Sequence, residues 1–367
     1  MLNSSPALTI AHVDAERGFS GGEVQVFLLM EGLAQRGHRN VLLCPPRSAA
    51  ATEAARRGIA VATVPMRGDA DLLALWRLAR AVRGADVVHL HTGRAAWLGG
   101  LAARRAGVPA IVTRRMDRLI GPGWRTRLIY ETCSRRTAAI APGIVEQLVA
   151  GGVPRDRVVL IPSAVDPRRV QPRLAAGALR GAQGVGADEV VLLSIAALVR
   201  RKGLDVLLDA LAALAHRGLR PRLWVAGDGP ERASLAAQAE RLGLGGQVDW
   251  LGQRDDVGDL FAAADVFVLP SRAEGLGVAA LEAMAAGRAV VASAVGGLAD
   301  AVVDGRTGLL VPPGDAVALG AALERVLHEP ALRSALGAAG PARVAEGFLA
   351  EQMVEAYERL YRDVLGR

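Results

Sequence analysis

A glutamate in a polar turn and a second glutamate eight residues further on, Glu274 and Glu282, are the pair in this sequence best placed to do chemistry. They lie in Ser271-Arg-Ala-Glu-Gly-Leu-Gly-Val-Ala-Ala-Leu-Glu-Ala-Met-Ala-Ala-Gly, directly after an apolar stretch that ends at Pro270. The pattern predicts a strand, a turn holding Glu274, and a helix carrying Glu282 in its second turn. A carboxylate accepts two hydrogen bonds, which suits the neighbouring hydroxyls of a sugar or a ribose. Gly275 and Gly277 let the backbone of the turn, Leu276 included, come close to a ligand. The amides there, with the helix start behind them, make a place for anionic oxygens.

Three further stretches repeat the step from strand end to helix. Leu198-Val-Arg-Arg-Lys-Gly-Leu-Asp sets Arg200, Arg201 and Lys202 after an apolar run. Gly18-Phe-Ser-Gly-Gly-Glu-Val-Gln puts Gly21 and Gly22 at a helix start, where the backbone can approach a phosphate or a sugar. That stretch lacks the G-x-G-x-x-G spacing, which disfavours a nicotinamide cofactor. His89 and His91 close a third strand, and alternation turns both to one face with His91 nearer the strand end. His89 reads as a packed core residue and His91 as a substrate contact. The next strand runs into Thr113-Arg-Arg-Met-Asp. Arg115 there cannot serve as a general base but can clamp a phosphate or an acidic group, with Asp117 as a lesser candidate.

These residues need elements to hold them, and the chain supplies two similar sets. Seven strand-like runs, from Leu8–Val13 to Val158–Pro162, are followed by six more, from Val190–Ala197 to Gly308–Val311, with amphipathic helical stretches between. Alternation of that kind predicts α/β architecture with parallel sheets covered on both faces. A length of 367 residues suits two domains. The boundaries expected are 1–168, a linker at 169–185 marked by Asp-Pro and then Gly/Ala-rich sequence, 186–345, and a terminal helix over 346–367. That helix's own pattern leaves its destination open, the N-terminal domain being one. Two open sheets that face each other would bring their strand ends to an interdomain cleft.

Composition narrows the class. Hydrophobic residues make up 51% and charged residues 22%, which describes a well-buried globular chain. Two cysteines, Cys44 and Cys133, without metal-ligand spacing, exclude a disulfide scaffold and point to a reducing cytoplasm. No apolar run is long enough to cross a membrane, and Met1 to Ile10 lacks the marks of a leader. The net charge of +7 is uneven: ten arginines fall between Arg94 and Arg136 against two acids, Asp117 and Glu131. Aromatic residues at 4% offer no stacking platform for nucleic acid.

The glutamate stretch resembles the E-x7-E signature of the family 4 glycosyltransferases, which have the GT-B fold. The flanking Asp265-Val-Phe-Val-Leu-Pro-Ser, Ala289-Val-Val-Ala-Ser-Ala-Val-Gly-Gly, Asp304-Gly-Arg-Thr-Gly-Leu-Leu-Val-Pro-Pro-Gly-Asp and Val225-Ala-Gly-Asp-Gly-Pro-Glu fit the same family, most densely from Ile195 to Asp315. The resemblance implies two facing Rossmann-like domains, the first on the acceptor side and the second binding a nucleotide-sugar. It gives the donor sugar to Glu274, the ribose to Glu282, and the sugar and phosphates to the backbone of Gly275, Leu276 and Gly277. Gly21 and Gly22 match the family's N-terminal Gly-Gly loop. Lys202 matches a lysine that neutralises the diphosphate. The arginine usual beside it is Ala197 here and the preceding glycine is Ala196, so Arg200 or Arg201 becomes the substitute cation. A histidine usual near Arg115 is also replaced.

The mechanism implied is a front-face displacement with retention, in which the leaving phosphate takes the acceptor's proton and the protein positions groups and stabilises charge. Glu274, Lys202, Arg115 and His91 are the residues expected nearest the chemistry. No metal and no resident cofactor are expected. The basic, apolar stretch Asp117–Thr137 has the composition of a basic amphipathic segment at a membrane surface, so a peripheral place on the inner membrane face and a lipid-linked or lipopolysaccharide-type acceptor are expected. Two other readings stand beside this one: a nucleotide-sugar epimerase of the same fold, and a non-catalytic nucleotide- or carbohydrate-binding protein.

Overall fold

Among the described residues, short apolar runs rich in Val, Ile, Leu and Ala become thirteen parallel strands in two sheets. The first sheet holds β1 (Thr9–Val13), β2 (Arg39–Cys44), β3 (Ala60–Thr63), β4 (Val87–Leu90), β5 (Ala110–Arg114), β6 (Arg136–Ala139) and β7 (Val158–Leu160) in the order β3-β2-β1-β4-β5-β6-β7. The second holds β8 (Val191–Ile195), β9 (Arg222–Ala226), β10 (Val248–Gly252), β11 (Val266–Leu269), β12 (Ala289–Ser293) and β13 (Gly308–Val311) in the order β10-β9-β8-β11-β12-β13. All four residues of β4 and of β11 are buried, as expected of central strands with helices on both faces. The computed structural model describes residues 6–116, 120–186 and 188–367. It divides into one unit of residues up to Ser163 with Ala350–Arg367 and a second of Ala164–Leu349.

Strand order reverses between β1 and β4 in the first sheet and between β8 and β11 in the second. At such a point the loops leaving neighbouring strands part, and a crevice opens outside the strands' carboxyl ends. Lys202 follows β8 and Glu274 follows β11, so two residues 72 apart in sequence meet at the reversal of the second sheet. In the first, His12 lies near the end of β1, His91 just follows β4, and Arg115 just follows β5.

Helix starts are set by local chemistry. The helix Gly21–Gln35 opens with a capping box: the Ser20 hydroxyl accepts from the Gly22 amide at 3.2 Å, and Glu23 accepts from the Ser20 amide at 2.6 Å. The final helix, Ala350–Leu365, buries Met353, Val354, Tyr357, Leu360 and Tyr361 along one stripe and belongs to the first unit. It approaches the Gly21–Gln35 helix at Gly32, where an added Cβ would stand 2.4 Å from Val354 Cγ2.

The stretch 169–185, read from sequence as a linker, is part of the second unit's packing. It joins a 3-10 turn (Pro167–Val170) to the helix Ala176–Ala182, and the buried Asp259 carboxylate accepts from the amides of Arg173 and Leu174 at 2.6 and 2.8 Å. Among the described residues no helix is long and apolar enough to cross a membrane.

Candidate active site

The second unit's site is a stack of loops that fit without clearance. The 3-10 turn Arg200–Lys202 ends in Gly203 at φ +67°, and a Cβ there would lie 2.0 Å from the Pro270 carbonyl oxygen. Only glycine satisfies both conditions. The Arg201 carbonyl accepts from the amides of Arg272 and Ala273 at 2.7 and 3.4 Å. The Arg272 guanidinium makes a two-pronged pair with Asp205 at 2.6 and 2.7 Å. Gly296, at φ +46°, passes so close beneath Glu274 that a Cβ would lie 2.0 Å from its carbonyl oxygen, and the Gly297 amide donates to the Gly275 carbonyl at 3.0 Å. The loops after β8, β11 and β12 are thus mutually braced.

On this base the Lys202 ammonium pairs with Glu274, both side chains being largely buried. The Ser271 hydroxyl donates to the same Glu274 oxygen at 3.1 Å. Glu282 is buried in the helix Val278–Ala285, where its backbone carbonyl accepts from the Ala286 amide at 2.9 Å. Its nearest cation is Arg169, 4.0 Å away. Burial pushes its carboxyl above the usual range, with Arg169 pulling the other way. The Val278–Ala285 helix has no side-chain cap; the amides of Ala280 and Leu281 donate to the Gly277 carbonyl at 2.9 and 3.2 Å, which leaves those of Val278 and Ala279 for an acceptor.

Not every residue named from sequence faces this space. Leu276 is buried, so its backbone alone can serve. Gly277 is required by packing, since a Cβ there would meet Leu298 Cδ2 at 2.3 Å. The side chains of Arg200 and Arg201 are exposed, as is Ala197.

In the first unit the carboxyl edge of the sheet carries a buried polar network. His12 Nδ1 lies 3.0 Å from His91 Nε2, and His12 Nε2 lies 3.0 Å from Asn40 Oδ1. Asn40 Nδ2 donates to the Met30 carbonyl at 3.1 Å. His91 Nδ1 receives Arg115 Nη1 at 3.2 Å. His89 bonds Tyr361 at 2.7 Å and Thr113 at 2.6 Å, and Thr113 meets the Tyr357 hydroxyl at 2.8 Å. His89 is therefore a core residue. His91 has both ring nitrogens engaged, one with His12 and the other with Arg115. Ligand nitrogens of His12, His89 and His91 lie within 4.8 Å of one another, a spacing a metal could use, yet each ring nitrogen already has a hydrogen-bond partner.

Burial holds His12 down at about 4 and takes His89 and His91 well below the ordinary imidazole value, with the Arg115 charge adding to the effect. Asp14, just after β1, is pushed up to about 6, chiefly by burial. Gly21 and Gly22 lie beside this network. A Cβ on Gly21 would meet nothing within 4 Å, and one on Gly22 would come no nearer than 3.6 Å to Ser20 Oγ and 3.9 Å to Arg115 Cδ. Nothing in the unit's own packing demands glycine at either position. Asp117 lies outside the described residues.

Residues 19–169 match the family model Glycosyltransferase Family 4, and residues 178–343 match the model Glycosyl transferases group 1. The D-inositol 3-phosphate glycosyltransferase of Saccharomonospora viridis is 36% identical over 309 residues, covering 76% of this chain and 70% of that one. The lipopolysaccharide core biosynthesis glycosyltransferase LpsE of Rhizobium meliloti is 37% identical over 174 residues, covering 47% of this chain and 50% of that one. Among solved structures, Anabaena HepE in complex with UDP-glucose aligns with a TM-score of 0.87 at 20% identity, covering 97% of this chain and 100% of that one.

Proposed function

The chain belongs to the family 4 glycosyltransferases and has their GT-B fold, and on that premise we propose that it transfers a sugar from a nucleoside-diphosphate sugar to a cell-envelope or lipid-linked glycan acceptor with retention of configuration. The observation that carries this reading is the braced Lys202–Glu274 pair at the strand reversal, with the buried Glu282 carboxylate eight residues on. Glu282 offers acceptors to the ribose hydroxyls. Glu274 turns to the donor sugar as the diphosphate draws Lys202 away from it. Open amides at the start of the Val278–Ala285 helix, with Gly275 and Gly277, hold phosphate oxygens. The UDP-glucose bound by HepE supports a donor of this class.

The acceptor hydroxyl forms its bond to the anomeric carbon on the face from which the diphosphate leaves, and the departing phosphate oxygen takes the hydroxyl proton. Lys202 stabilises the charge that gathers on that oxygen. Arg115, with Gly21 and Gly22, holds an anionic group in the first unit. No divalent metal or resident cofactor enters this scheme. The names of the two relatives favour an inositol phosphate or a lipopolysaccharide core as acceptor classes. Incubation with UDP-, GDP- and ADP-linked glucose and mannose and either acceptor is expected to yield a product whose anomeric proton signal keeps the donor's configuration. An inverted product, or a new sugar formed from donor alone, overturns the proposal, the second outcome favouring an epimerase.

A peripheral membrane position belongs to the same proposal, on a revised surface. In the described part of the basic stretch lie the helical turns Trp124–Arg127 and Leu128–Thr132, with Tyr130 buried. The helix Leu72–Ala81 is the better support. It contains no acid, exposes Leu72, Leu73 and Trp76, and lays Arg80 over the Trp76 ring at 4.8 Å. Flotation with phosphatidylglycerol vesicles at low salt is expected to carry the protein upward, and Trp76→Ser to weaken that binding. Failure of the unaltered protein to float removes the membrane from the proposal.

A further inference from the structure

Arg115 is held by a hydrogen-bond chain whose direction can be worked out from its ends. Asn40 Nδ2 donates to the Met30 carbonyl, so the amide oxygen is the atom that faces His12 Nε2. That oxygen can only accept, so His12 carries its proton on Nε2. A neutral imidazole has one N–H, which leaves His12 Nδ1 as an acceptor and makes His91 Nε2 the donor across their 3.0 Å contact. His91 Nδ1 is then a bare lone pair, and it faces Arg115 Nη1 at 3.2 Å. Arginine can only donate. Both ends of the chain therefore demand the same direction, and the reverse tautomers would set donor against donor at Arg115 and acceptor against acceptor at Asn40.

The far end of the guanidinium carries a complementary feature. Nη1 is engaged twice, by His91 Nδ1 and by the His91 carbonyl at 3.4 Å. Nε is buried and has no partner among the described residues. A buried N–H without an acceptor is rare, because it forfeits its bonds to water. The Nε and Nη2 hydrogens lie along one edge of the guanidinium and match two oxygens of a phosphate or carboxylate. Gly22 adjoins the Arg115 side chain at the start of the Gly21–Gln35 helix.

We infer that Asn40 and His12 are positioning residues for substrate binding: through His91 they fix the Arg115 guanidinium so that its Nε/Nη2 edge is presented to an anionic oxygen of the substrate. The inference rests on the proposal that Arg115 contacts such an anion. The chain has room for one proton per ring, so a second proton on His12 or His91 breaks a link and frees Arg115. Groups that bear on these rings are the Arg115 cation and His89, its ring centre 3.9 Å from that of His91, with Tyr357 and Tyr361 beyond His89; Asp14, on which Glu23 acts in turn, faces the Arg115 charge.

Protein labelled with 15N in histidine and arginine tests this, with inorganic phosphate as the probe. The expected spectrum at pH 7.5 has both His12 and His91 protonated at Nε2, and phosphate shifts the Arg115 Nε–H signal. Asn40→Leu is expected to mix the tautomers and weaken phosphate binding about tenfold. Asn40→Asp at pH 8 restores an acceptor for His12 and is expected to recover the affinity, a rescue that a purely structural part for Asn40 would not produce. Should Asn40→Leu not fold, the tautomers of the unaltered protein and the pH dependence of Asn40→Asp decide. A proton on His91 Nδ1, or phosphate affinity unchanged in Asn40→Leu, overturns the inference. Correct tautomers with an Arg115 signal that phosphate leaves unmoved overturn instead the anion-binding proposal beneath it.

Discussion

Lys202→Met is expected to lower kcat/KM for sugar transfer by about 10²–10³-fold, on the scale seen when one fixed donor to a developing oxyanion is removed, about 3–4 kcal/mol. The expectation comes from where the cation sits. Gly203 allows the lysine turn to lie against Pro270, and the amides of Arg272 and Ala273 bind the turn's own carbonyl. The ammonium is thereby fixed before any donor arrives, and little reorganisation is needed as charge builds on the leaving phosphate. Arginine is not expected to rescue the loss, since its planar fork cannot occupy the place of a compact ammonium that faces one Glu274 oxygen. Loss of Lys202 leaves Glu274 with the Ser271 hydroxyl, so the loop keeps one tie while its negative charge goes unbalanced. Initial rates over a donor series test this. Activity within threefold of the unaltered protein would place the stabilising charge elsewhere.

The first unit is expected to lose stability steeply as pH falls from about 6.5 to 4.5. His12, His89 and His91 are neutral in the folded chain, with values lowered from 6.5 to about 4 for His12 and well below 6.5 for the other two. Above pH 7 neither folded nor unfolded chain protonates them and nothing is lost. Below 6.5 the unfolded chain takes up protons that the folded one refuses, which favours unfolding by up to about 1.4 kcal/mol per histidine per pH unit. At pH 5 this comes to roughly 2 kcal/mol for His12, and His89 and His91 add to it in the same direction. Asp14 opposes part of it. Its carboxyl, raised from 3.8 to about 6, holds its proton in the folded chain where the unfolded chain has released it, returning on the order of 1 kcal/mol at pH 5. Calorimetry at pH 7.5, 6 and 5 is expected to show one transition moving down by many degrees, and His89→Gln, which keeps polar atoms near Tyr361 and Thr113, to flatten that slope. A transition insensitive to pH over this range would mean that the histidines take up protons without disturbing the fold.

The two units differ in how much of their candidate site residues could be read from sequence. Around Glu274 and Glu282 the information is local: a strand, a turn and a helix within twenty residues fix which side chains appear together. The alternation of strands and helices likewise gave the parallel α/β architecture, because fully buried strands carry continuous apolar runs. The first unit's network is assembled from β1, β2, β4 and β5 and completed by hydroxyls 244 and 272 residues away on the last helix. No spacing rule links such residues. His12 and Asn40 went unnoticed, and His91 was taken for a substrate contact when it is the link that holds Arg115. Gly277 carries a second requirement that its place after a strand did not reveal: a Cβ there would meet Leu298, so packing calls for glycine as well. The 169–185 stretch carries the Pro and Gly of a connector, and its close packing is not legible in them: Gly258 lets the chain lie so near that a Cβ would stand 2.3 Å from the Gln171 carbonyl oxygen.

Thermal unfolding with UDP, GDP, ADP and CMP in turn, on the unaltered protein and on Glu282→Ala, bears most directly on the proposal that the second unit holds a nucleoside-diphosphate donor. A ligand at about 100 times its dissociation constant adds about 2.7 kcal/mol, enough to raise a midpoint by several degrees. One nucleoside diphosphate is expected to raise the midpoint, and Glu282→Ala, which takes away the carboxylate proposed to bind the ribose, to reduce that rise. No rise with any nucleotide, or an equal rise in Glu282→Ala, would contradict it.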